Sequence, residues 1–268
     1  MENKQRYTFQ DKRNSAKKYK MRKVNLITMA GLGLRFKNKG FKLPKPLIEI
    51  DNLPMFVRSV RKLPGCDLLI FICLKLHVKN FNLHKVIEKY FPKAKIVILN
   101  KKTQGQAVTC LKAQKYLKPN DLLTIASCDY GMTYNKNLLN KNLNSSDLVV
   151  WTFKDVAAIK KKPTSYGYVK TNKKYIINAT SCKKTLSKKP WEDDAIIGTF
   201  TFKKAKLFIQ LTKKLIKKKV RVNNEFYIDS LIAFFINSKY TAKSLRVNKY
   251  NGWGTPFELK KYKNEKNN

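Results

Sequence analysis

The sequence predicts an α/β fold with a mostly parallel sheet, helices on both faces and a small antiparallel lobe. Short apolar runs typical of buried strands alternate with segments of helical periodicity through the first 153 residues. This alternation is typical of parallel sheets, because each crossover connection places a helix on one face. After residue 153 the alternation stops, and a hairpin pattern and two further helical segments follow.

The first half of the chain repeats a strand–helix unit. The predicted strands are residues 24–30, 68–74, 96–99, 122–126 and 148–153, and the predicted helices are 55–62, 78–90, 106–117 and 136–143. Pro54, which precedes the first of these helices, suits a helix N-terminus. Ligands bind beyond the carboxyl ends of the strands in such sheets. Both a glycine-containing loop and Asp129 follow strands at those ends.

The second half has a different pattern, which we interpret as a substrate-binding lobe on the same core. A hairpin is predicted from residues 166–170 and 175–179 around Asn172, and a further strand from 195–202. Residues 205–218 and 225–236 are predicted helices, and 241–247 a final strand. We expect a basic, disordered tail over residues 1–22, one domain over 23–262, and a short frayed tail over 263–268.

Composition excludes several classes of protein. The chain of 268 residues is 43% hydrophobic, which is enough for a sizeable core, and no apolar run approaches the ~18 residues of a membrane-spanning helix. Residues 1–23 contain no apolar core of a secretory signal. The five cysteines form no C-x-x-C pair, and the two histidines have no zinc-type spacing. We therefore expect a cytoplasmic protein with reduced cysteines and no zinc site.

The formal net charge of +41 would suit a nucleic-acid-binding protein. However, the lysines are spread over nearly every segment, including the predicted outer faces of helices. Lys, Asn and Ile are all abundant, and all have A/T-rich codons, so genome composition explains much of the excess. We expect weak adhesion to polyanions at low salt and no specific nucleic-acid partner.

The most informative motif is the loop after the first predicted strand. It contains Gly31 and Gly33, and Arg35 and Lys45 follow it. Glycine lets backbone N–H groups approach an anion without interference from a Cβ, and the two cations supply fixed positive charge for phosphate oxygens. The loop therefore indicates a nucleotide phosphate site at the edge of the sheet.

Nine short pieces, in order, make the chain resemble the sugar-phosphate nucleotidyltransferases, or nucleoside-diphosphate-sugar pyrophosphorylases. They are MAGLGLRF (29–36), LPKPL (43–47), PM (54–55), TQGQA (103–107), CD (128–129), YGYV (166–169), IGTF (197–200), NEFYID (224–229) and WGTP (253–256). The resemblance implies a Rossmann-like (GT-A-like) sheet, with a nucleotide-binding half over 23–153 and a sugar-binding half over 154–262.

The implied reaction joins a nucleoside triphosphate to a sugar 1-phosphate, or to a similar small phosphate, and releases pyrophosphate. The implied product is an NDP-sugar for a surface polysaccharide or glycoconjugate. The attacking phosphate is already ionised, so positioning and charge neutralisation matter more than a strong protein base. The resemblance implies that Arg35 and Lys45 hold the triphosphate. It also implies that Asp129 holds Mg²⁺, the cofactor. An Asx turn or a helix cap is the simpler alternative for Asp129.

Further roles are implied for both substrates. Ala30, Gly31 and Gly33 would bind the triphosphate, and the segment Gln104, Gly105 and Gln106 would line the nucleobase. The resemblance implies that the sugar phosphate contacts Gly167, Lys184, Gly198 and Glu225. Simpler alternatives stay open: Gln106 as a first-turn helix residue, the two glycines as turn or bulge residues, and Glu225 as a helix-start glutamate.

Two positions depart from the family pattern. Cys182-Lys183-Lys184 stands where the family has Glu-Lys-Pro, so Lys184 aligns with the phosphate-binding lysine, and a register slip would make Lys183 that residue instead. Gly252 stands where the family often has a second metal-binding aspartate. We expect Asp229 to cap or brace a helix rather than to substitute for that second aspartate.

These departures keep two other hypotheses open. A non-catalytic, nucleotide-sensing relative would bind NTP without forming product, and a nucleic-acid-binding protein would bind duplexes through charge alone. The sequence contains no helix-turn-helix, zinc-finger or RNP-type motif in support of the last hypothesis. The base, the acceptor and the oligomeric state are not determined by these patterns.

Overall fold

The computed structural model describes residues 21–236 and 238–267, so residues 1–20 of the predicted basic tail lie outside the described part. The strands are β1 Lys23–Met29, β2 Glu49–Ile50, β3 Leu53–Pro54, β4 Leu68–Leu74, β5 Lys95–Leu99, β6 Leu122–Ser127, β7 Tyr130–Thr133, β8 Leu148–Phe153, β9 Tyr168–Thr171, β10 Ile177–Ser181, β11 Asp194–Phe202, β12 Ala242–Arg246 and β13 Lys249–Gly252. The helices are α1 Leu34–Lys37, α2 Met55–Val60, α3 Lys75–Phe81, α4 Leu83–Tyr90, α5 Gln106–Leu111, α6 Lys136–Asn144, α7 Val156–Lys161, α8 Ala205–Lys217, α9 Ile232–Ile236 and α10 Pro256–Asn267.

A central sheet of nine strands organises the described residues, in the order β10-β9-β11-β6-β1-β4-β5, with β8 also paired to β11 and β12 paired to β8. Strands β6, β1, β4 and β5 are parallel, which confirms the predicted α/β fold. Strand β11 runs antiparallel to its neighbours β6, β8 and β9. It therefore joins the second half of the chain to the central sheet, and this half lies on the same core, as the sequence predicted.

The sheet is covered on both faces. Two large apolar clusters form the core, and the strand residues of β8 are all buried, as expected for a strand with no solvent-facing side. A third, smaller cluster contains Phe36 of α1, Ile48, Ile50, Met55, Trp253 and Leu259 of α10. This third cluster ties the loop after β1 to the C-terminal helix, because it buries side chains from both. Within the described ranges, no helix combines the length and apolar character needed to cross a bilayer.

Most predicted elements are present, with local differences at their ends. The predicted hairpin is confirmed, because β9 and β10 pair antiparallel and the Asn172 side chain accepts hydrogen bonds from two backbone N–H groups of the turn. The predicted helix over 78–90 was wrong in extent. It is two helices, α3 and α4, because Asn82 has a left-handed backbone with φ of 50°.

The C-terminal elements differ more. The helix predicted over 225–236 begins only at Asp229, with a 3₁₀ turn before α9, so Glu225 is not a helix-start residue. Asn223 and Asn224 have positive φ, and this turn replaces the first helical turn. Residues 263–267, predicted as a tail, continue α10, and Lys266 Nζ lies 2.9 Å from Asp51 Oδ2.

Candidate active site

Two adjoining cavities open at the ends of the neighbouring parallel strands β1 and β6. We call the first the loop-side cavity: it has a volume of about 560 Å³ and is bordered by the glycine loop after β1 and by residues 102–109. We call the second the lobe-side cavity: it has a volume of about 370 Å³ and is bordered by residues of the second half, including α7 and the start of α10. Arg35, Lys45 and Gln106 line both cavities, so they stand at the junction.

The two cations at the junction are placed by short turns. Gly33 has φ of 65° and ends the loop at the N-terminus of α1, which carries Arg35. Lys45 begins a 3₁₀ turn between Pro44 and Pro46. A Cβ at Gly33 would lie 3.4 Å from the Lys45 Cβ, so the left-handed glycine lets the two segments pack closely.

Asp129 lies in the turn between β6 and β7. The Tyr130 hydroxyl accepts a hydrogen bond from Ser127 N at 3.1 Å and contacts Thr199 Oγ1 at 2.6 Å, which fixes this turn on the sheet. The backbone oxygen of Asp129 accepts a hydrogen bond from Trp253 N at 2.8 Å. This bond extends the pairing of β7 with β13, so the C-terminal segment lies directly beside Asp129.

Lys45 and Asp129 form an ion pair in the cleft. Burial is the largest single effect and disfavours the charged form of each group, but the neighbouring charges and hydrogen bonds together outweigh it. The pKa of Lys45 is therefore raised above its ordinary value, and the pKa of Asp129 is lowered. Both side chains are charged across the neutral pH range.

The segment predicted to line the base is clamped to the turn around Phe226. Phe226 N donates to Gln104 O at 2.8 Å, and Ala107 N donates to Phe226 O at 3.0 Å. Gly105 has φ of 121°, and a Cβ there would lie 2.5 Å from Phe226 N. Only glycine fits this position, because the backbone conformation and the close approach both exclude a side chain.

The structure brings most of the predicted nucleotide-binding residues together. Ala30, Gly31, Gly33, Gly105 and Gln106 line the loop-side cavity. Gln104 lines neither cavity: it is exposed, and its Oε1 accepts a hydrogen bond from Arg221 Nη2 at 2.9 Å. Its predicted role in reading the base is therefore not matched by its placement.

The residues predicted to bind the sugar phosphate do not all lie in one cavity. Gly167 and Gly198 line the lobe-side cavity together with Lys183, the alternative to Lys184. Lys184 is exposed and lines neither cavity. Glu225 lines the loop-side cavity instead, where its carboxylate lies 3.6 Å from Lys102 Nζ.

Two carboxylates of the lobe-side cavity were missed as binding residues. Asp229 is 8% exposed, and burial raises its pKa even though the charge of Lys183 opposes the shift. Glu258 lies near the N-terminus of α10, and both of these residues line the cavity. The sequence did carry a signal for Glu258, since Thr255-Pro256-Phe257-Glu258 has the T-x-x-E spacing of a helix capping box.

Comparisons with known proteins support the fold. No protein-family model matches the sequence, and no curated protein sequence matches it. A nucleoside-diphosphate-sugar pyrophosphorylase from Vibrio cholerae superimposes with a TM-score of 0.72 at 17% identity, over 89% of this chain and 98% of that chain.

Two further solved structures have similar folds. An inositol-1-phosphate CTP transferase from T. maritima gives a TM-score of 0.68 at 13% identity, over 91% of this chain and 94% of that chain. A UDP-glucose pyrophosphorylase from Acinetobacter baumannii gives 0.67 at 15% identity, over 90% and 92%. The chain therefore has the fold of the sugar-phosphate nucleotidyltransferases, which confirms the resemblance at the level of the fold.

Proposed function

We propose that this protein is a nucleotidyltransferase that couples a nucleoside triphosphate to a sugar 1-phosphate, or to a similar small phosphate, with release of pyrophosphate. The observation that carries the proposal is the position of Arg35 and Lys45 at the junction of two cavities. One cavity has a glycine loop suited to a triphosphate, and the other has room for a second substrate. Two phosphates that meet at this junction would do so between two fixed cations.

The chemistry needs little more than this arrangement. The acceptor phosphate attacks the α-phosphorus with an oxygen that is already ionised, and the bond from that phosphorus to the β-phosphate bridging oxygen breaks. Arg35 and Lys45 neutralise the charge on the triphosphate and on the departing pyrophosphate. The protein's main contribution is to hold both phosphates in line, which lowers the entropic part of the barrier.

Mg²⁺ fits the donor set beside Lys45. A Cβ at Gly254 would lie 2.9 Å from Asp129 Oδ2, so glycine leaves open space next to a carboxylate that is ionised at neutral pH. Mg²⁺ is commonly held by one or two carboxylates together with substrate phosphates and water. Asp129 would hold the ion, which when bound supplies positive charge to the phosphate oxygens.

The lobe-side cavity suits a phosphorylated, hydroxylated acceptor. Lys183 offers an ammonium for the acceptor phosphate, and the buried Asp229 offers an oxygen to accept hydroxyl hydrogens. Similar structures include enzymes named for sugars and for inositol 1-phosphate. Sugar phosphates and inositol 1-phosphate both carry a phosphate and several hydroxyl groups. We place the product in surface polysaccharide or glycoconjugate synthesis and the enzyme in the cytosol.

The direct test is pyrophosphate release by the full-length protein with MgCl₂. Each of the four common NTPs is paired with a panel of sugar 1-phosphates, inositol 1-phosphate and phosphocholine. We expect one pair to give sustained turnover that Asp129→Ala reduces at least ~100-fold. Folded protein that binds an NTP but releases no pyrophosphate with any acceptor would favour the non-catalytic alternative.

A further inference from the structure

A second carboxylate stands beside Asp129, and it comes from the C-terminal helix. A Cβ at Gly254 would lie 2.9 Å from Asp129 Oδ2 and 3.4 Å from Glu258 Oε2, so both carboxylates border the same small space. Both also line the lobe-side cavity with Lys45. The two acids and the lysine therefore share one region of the cleft.

Thr255 fixes the orientation of the Glu258 side chain. Its hydroxyl donates a hydrogen bond to Glu258 Oε2 at 2.9 Å, and Glu258 N donates to the same hydroxyl oxygen at 3.2 Å. This reciprocal contact has the spacing of a capping box and holds the carboxylate at the start of α10. Glu258 Oε1 has no hydrogen bond to Thr255 and faces position 252, where a Cβ would lie 3.3 Å away.

The helix that carries Glu258 is anchored to the rest of the site. Leu259 packs in the third core cluster with Phe36, whose helix also carries Arg35. Further along α10, the Tyr262 hydroxyl donates to Asp51 Oδ2 at 2.9 Å, and its ring packs on Trp253 with centroids 5.5 Å apart. A carboxylate on such a braced element is preorganised, which is what a metal site requires of its ligands.

Position 252 has no side chain, which leaves room beside the carboxylate of Glu258. The side chain expected at this position from the family pattern is missing, since the residue is Gly252. The Glu258 carboxylate lies where a side chain at 252 would point, with Oε1 3.3 Å from the Cβ position. We propose that Glu258 supplies the second carboxylate oxygen to the Mg²⁺ held by Asp129, an inference that rests on the proposed function.

A purely structural role makes different predictions. If Glu258 only caps α10, its loss lowers the stability of the protein and leaves the metal affinity unchanged. If Glu258 binds the metal, its loss weakens metal binding whether or not stability changes. Metal affinity is therefore the decisive measurement, and enzymatic turnover is a separate one.

The experiment uses Mn²⁺ as a paramagnetic substitute for Mg²⁺, with the full-length protein. Loss of the free-ion EPR signal measures Mn²⁺ binding, first with the metal alone and then with inorganic triphosphate present. We compare the wild type with Glu258→Gln, Thr255→Val and Glu265→Gln. Glu265 is the matched control: it lies on the same helix and is 59% exposed, and its nearest charge partner is Lys261 at 3.6 Å.

We expect Glu258→Gln to weaken Mn²⁺ binding at least ~10-fold, because it removes a charged oxygen ligand and little volume. Thr255→Val should give a smaller loss, because it frees the orientation of the ligand and keeps its charge. Glu265→Gln should bind like the wild type. Equal Mn²⁺ affinity of Glu258→Gln and Glu265→Gln would overturn the proposal, and so would a wild-type protein that binds no Mn²⁺ in either condition.

The failure of this proposal is distinguishable from failure of the proposed function. Turnover by the wild type with unchanged Mn²⁺ affinity of Glu258→Gln would overturn the role of Glu258 alone. Mn²⁺ binding that depends on Glu258, with no pyrophosphate released from any substrate pair, would support the metal site and count against the transferase activity.

Discussion

The Lys45 ammonium is paired with the Asp129 carboxylate in the cleft. The pair joins the 3₁₀ turn after the glycine loop to the turn after β6, so it fixes the two sides of the cleft relative to each other. Its side chains are 21% and 17% exposed, so neither is fully solvated. Under the proposed function, a bound triphosphate and Mg²⁺ would compete for this contact, because phosphate oxygens would attract Lys45 and the metal would attract Asp129.

The pair predicts a stability cost when either partner is lost alone. Lys45→Met leaves a partly buried carboxylate unpaired, and Asp129→Asn leaves the ammonium unpaired, so each should cost about 1–3 kcal/mol. The double variant should recover part of the combined loss, because neither charge remains. Denaturant unfolding measures the four free energies of this cycle.

Lys42→Met is the matched control for this cycle, since Lys42 is an exposed lysine three residues away. It should change stability by less than ~0.5 kcal/mol. Strict additivity of the Lys45 and Asp129 single losses would contradict a stabilising pair. Lys45→Met should also lower kcat about 10²- to 10³-fold, the usual cost of removing one preorganised charge from a transition state.

The pKa shifts set the pH range over which the Lys45–Asp129 pair contributes. The pKa of Asp129 is lowered in the folded state, so its contribution is present above the unfolded value, roughly 3.9, and is lost as the pH falls through the folded value. The pKa of Lys45 is raised, so its contribution is present below roughly 10.4 and is lost as the pH rises through the folded value. The pair is therefore intact throughout the neutral range.

A second prediction concerns the clamp between Gly105 and Phe226. Gly105→Ala would place a Cβ 2.5 Å from Phe226 N at a φ of 121°, and flexible side-chain adjustment cannot relieve a clash with backbone. We expect a loss of more than about 2 kcal/mol in unfolding free energy, or a displaced loop with a higher KM for the NTP.

The matched control for Gly105→Ala is Gly65→Ala. Gly65 is exposed, and a Cβ there has nothing within 4 Å, so stability and the KM for the NTP should stay close to wild type. If Gly105→Ala behaves like Gly65→Ala in both thermal unfolding and nucleotide KM, the clamp does not position the nucleotide.

Much of the fold followed from local patterns, because buried parallel strands have long apolar runs and helices have their own periodicity. The positions of Arg35, Lys45 and the glycine loop were also predictable, since all follow the first strand directly. The antiparallel insertion of β11 was not predictable, because its residues are almost all buried and would be so in either direction. Strand direction depends on the path of the whole chain, which no local pattern encodes.

The sequence did not identify two residues of the site, because the position of each depends on the fold of distant or irregular segments. Glu258 reaches Asp129 only because β13 pairs with β7, a contact between segments more than a hundred residues apart. Lys183 and Lys184 are identical in type, and the sequence could not decide which one turns inward. In the fold Lys183 has a left-handed backbone, with φ of 54°, and lines the lobe-side cavity. Such a turn is uncommon for lysine, so its position was not foreseeable.

A third prediction separates these two lysines. Lys183 lines the lobe-side cavity and lies 5.6 Å from the centre of the Tyr227 ring, whereas Lys184 is exposed. Lys183→Ala should raise the KM for the acceptor phosphate about 10- to 100-fold, because it removes a charge-assisted hydrogen bond. Lys184→Ala is the matched control and should change this KM less than about threefold.

Initial rates against acceptor concentration, at saturating NTP, give these constants. The KM for the NTP should stay unchanged in both variants, since neither lysine lines the loop-side cavity. A larger effect of Lys184→Ala than of Lys183→Ala would restore the alignment in which Lys184 binds the phosphate.

The last prediction is a trade-off between stability and binding at Asp229. Burial raises the pKa of this carboxyl. The carboxylate packs directly on Gly167, where a Cβ would lie only 2.5 Å from Asp229 Oδ2. A folded pKa above the unfolded value means that ionised Asp229 opposes folding; this opposition fades as the pH falls through the folded value and is gone below the unfolded value of roughly 3.9. Asp229→Asn should therefore be more stable than the wild type near pH 8, by about 0.5–2 kcal/mol, and this advantage should shrink toward pH 4.

The measurement is the unfolding free energy of the wild type and of Asp229→Asn across this pH range. Titrating groups that both proteins contain contribute equally, so they cancel in the difference between the two free energies. Glu192→Gln, at a 61% exposed side chain, is the control and should show no such slope. The same Asp229→Asn variant should bind the acceptor at least ~10-fold more weakly, because a neutral amide is a poorer acceptor for hydroxyl hydrogens than a carboxylate. An advantage that grows toward acid, or a gain in stability with unchanged acceptor KM, would mean that the buried charge at Asp229 is not retained for binding.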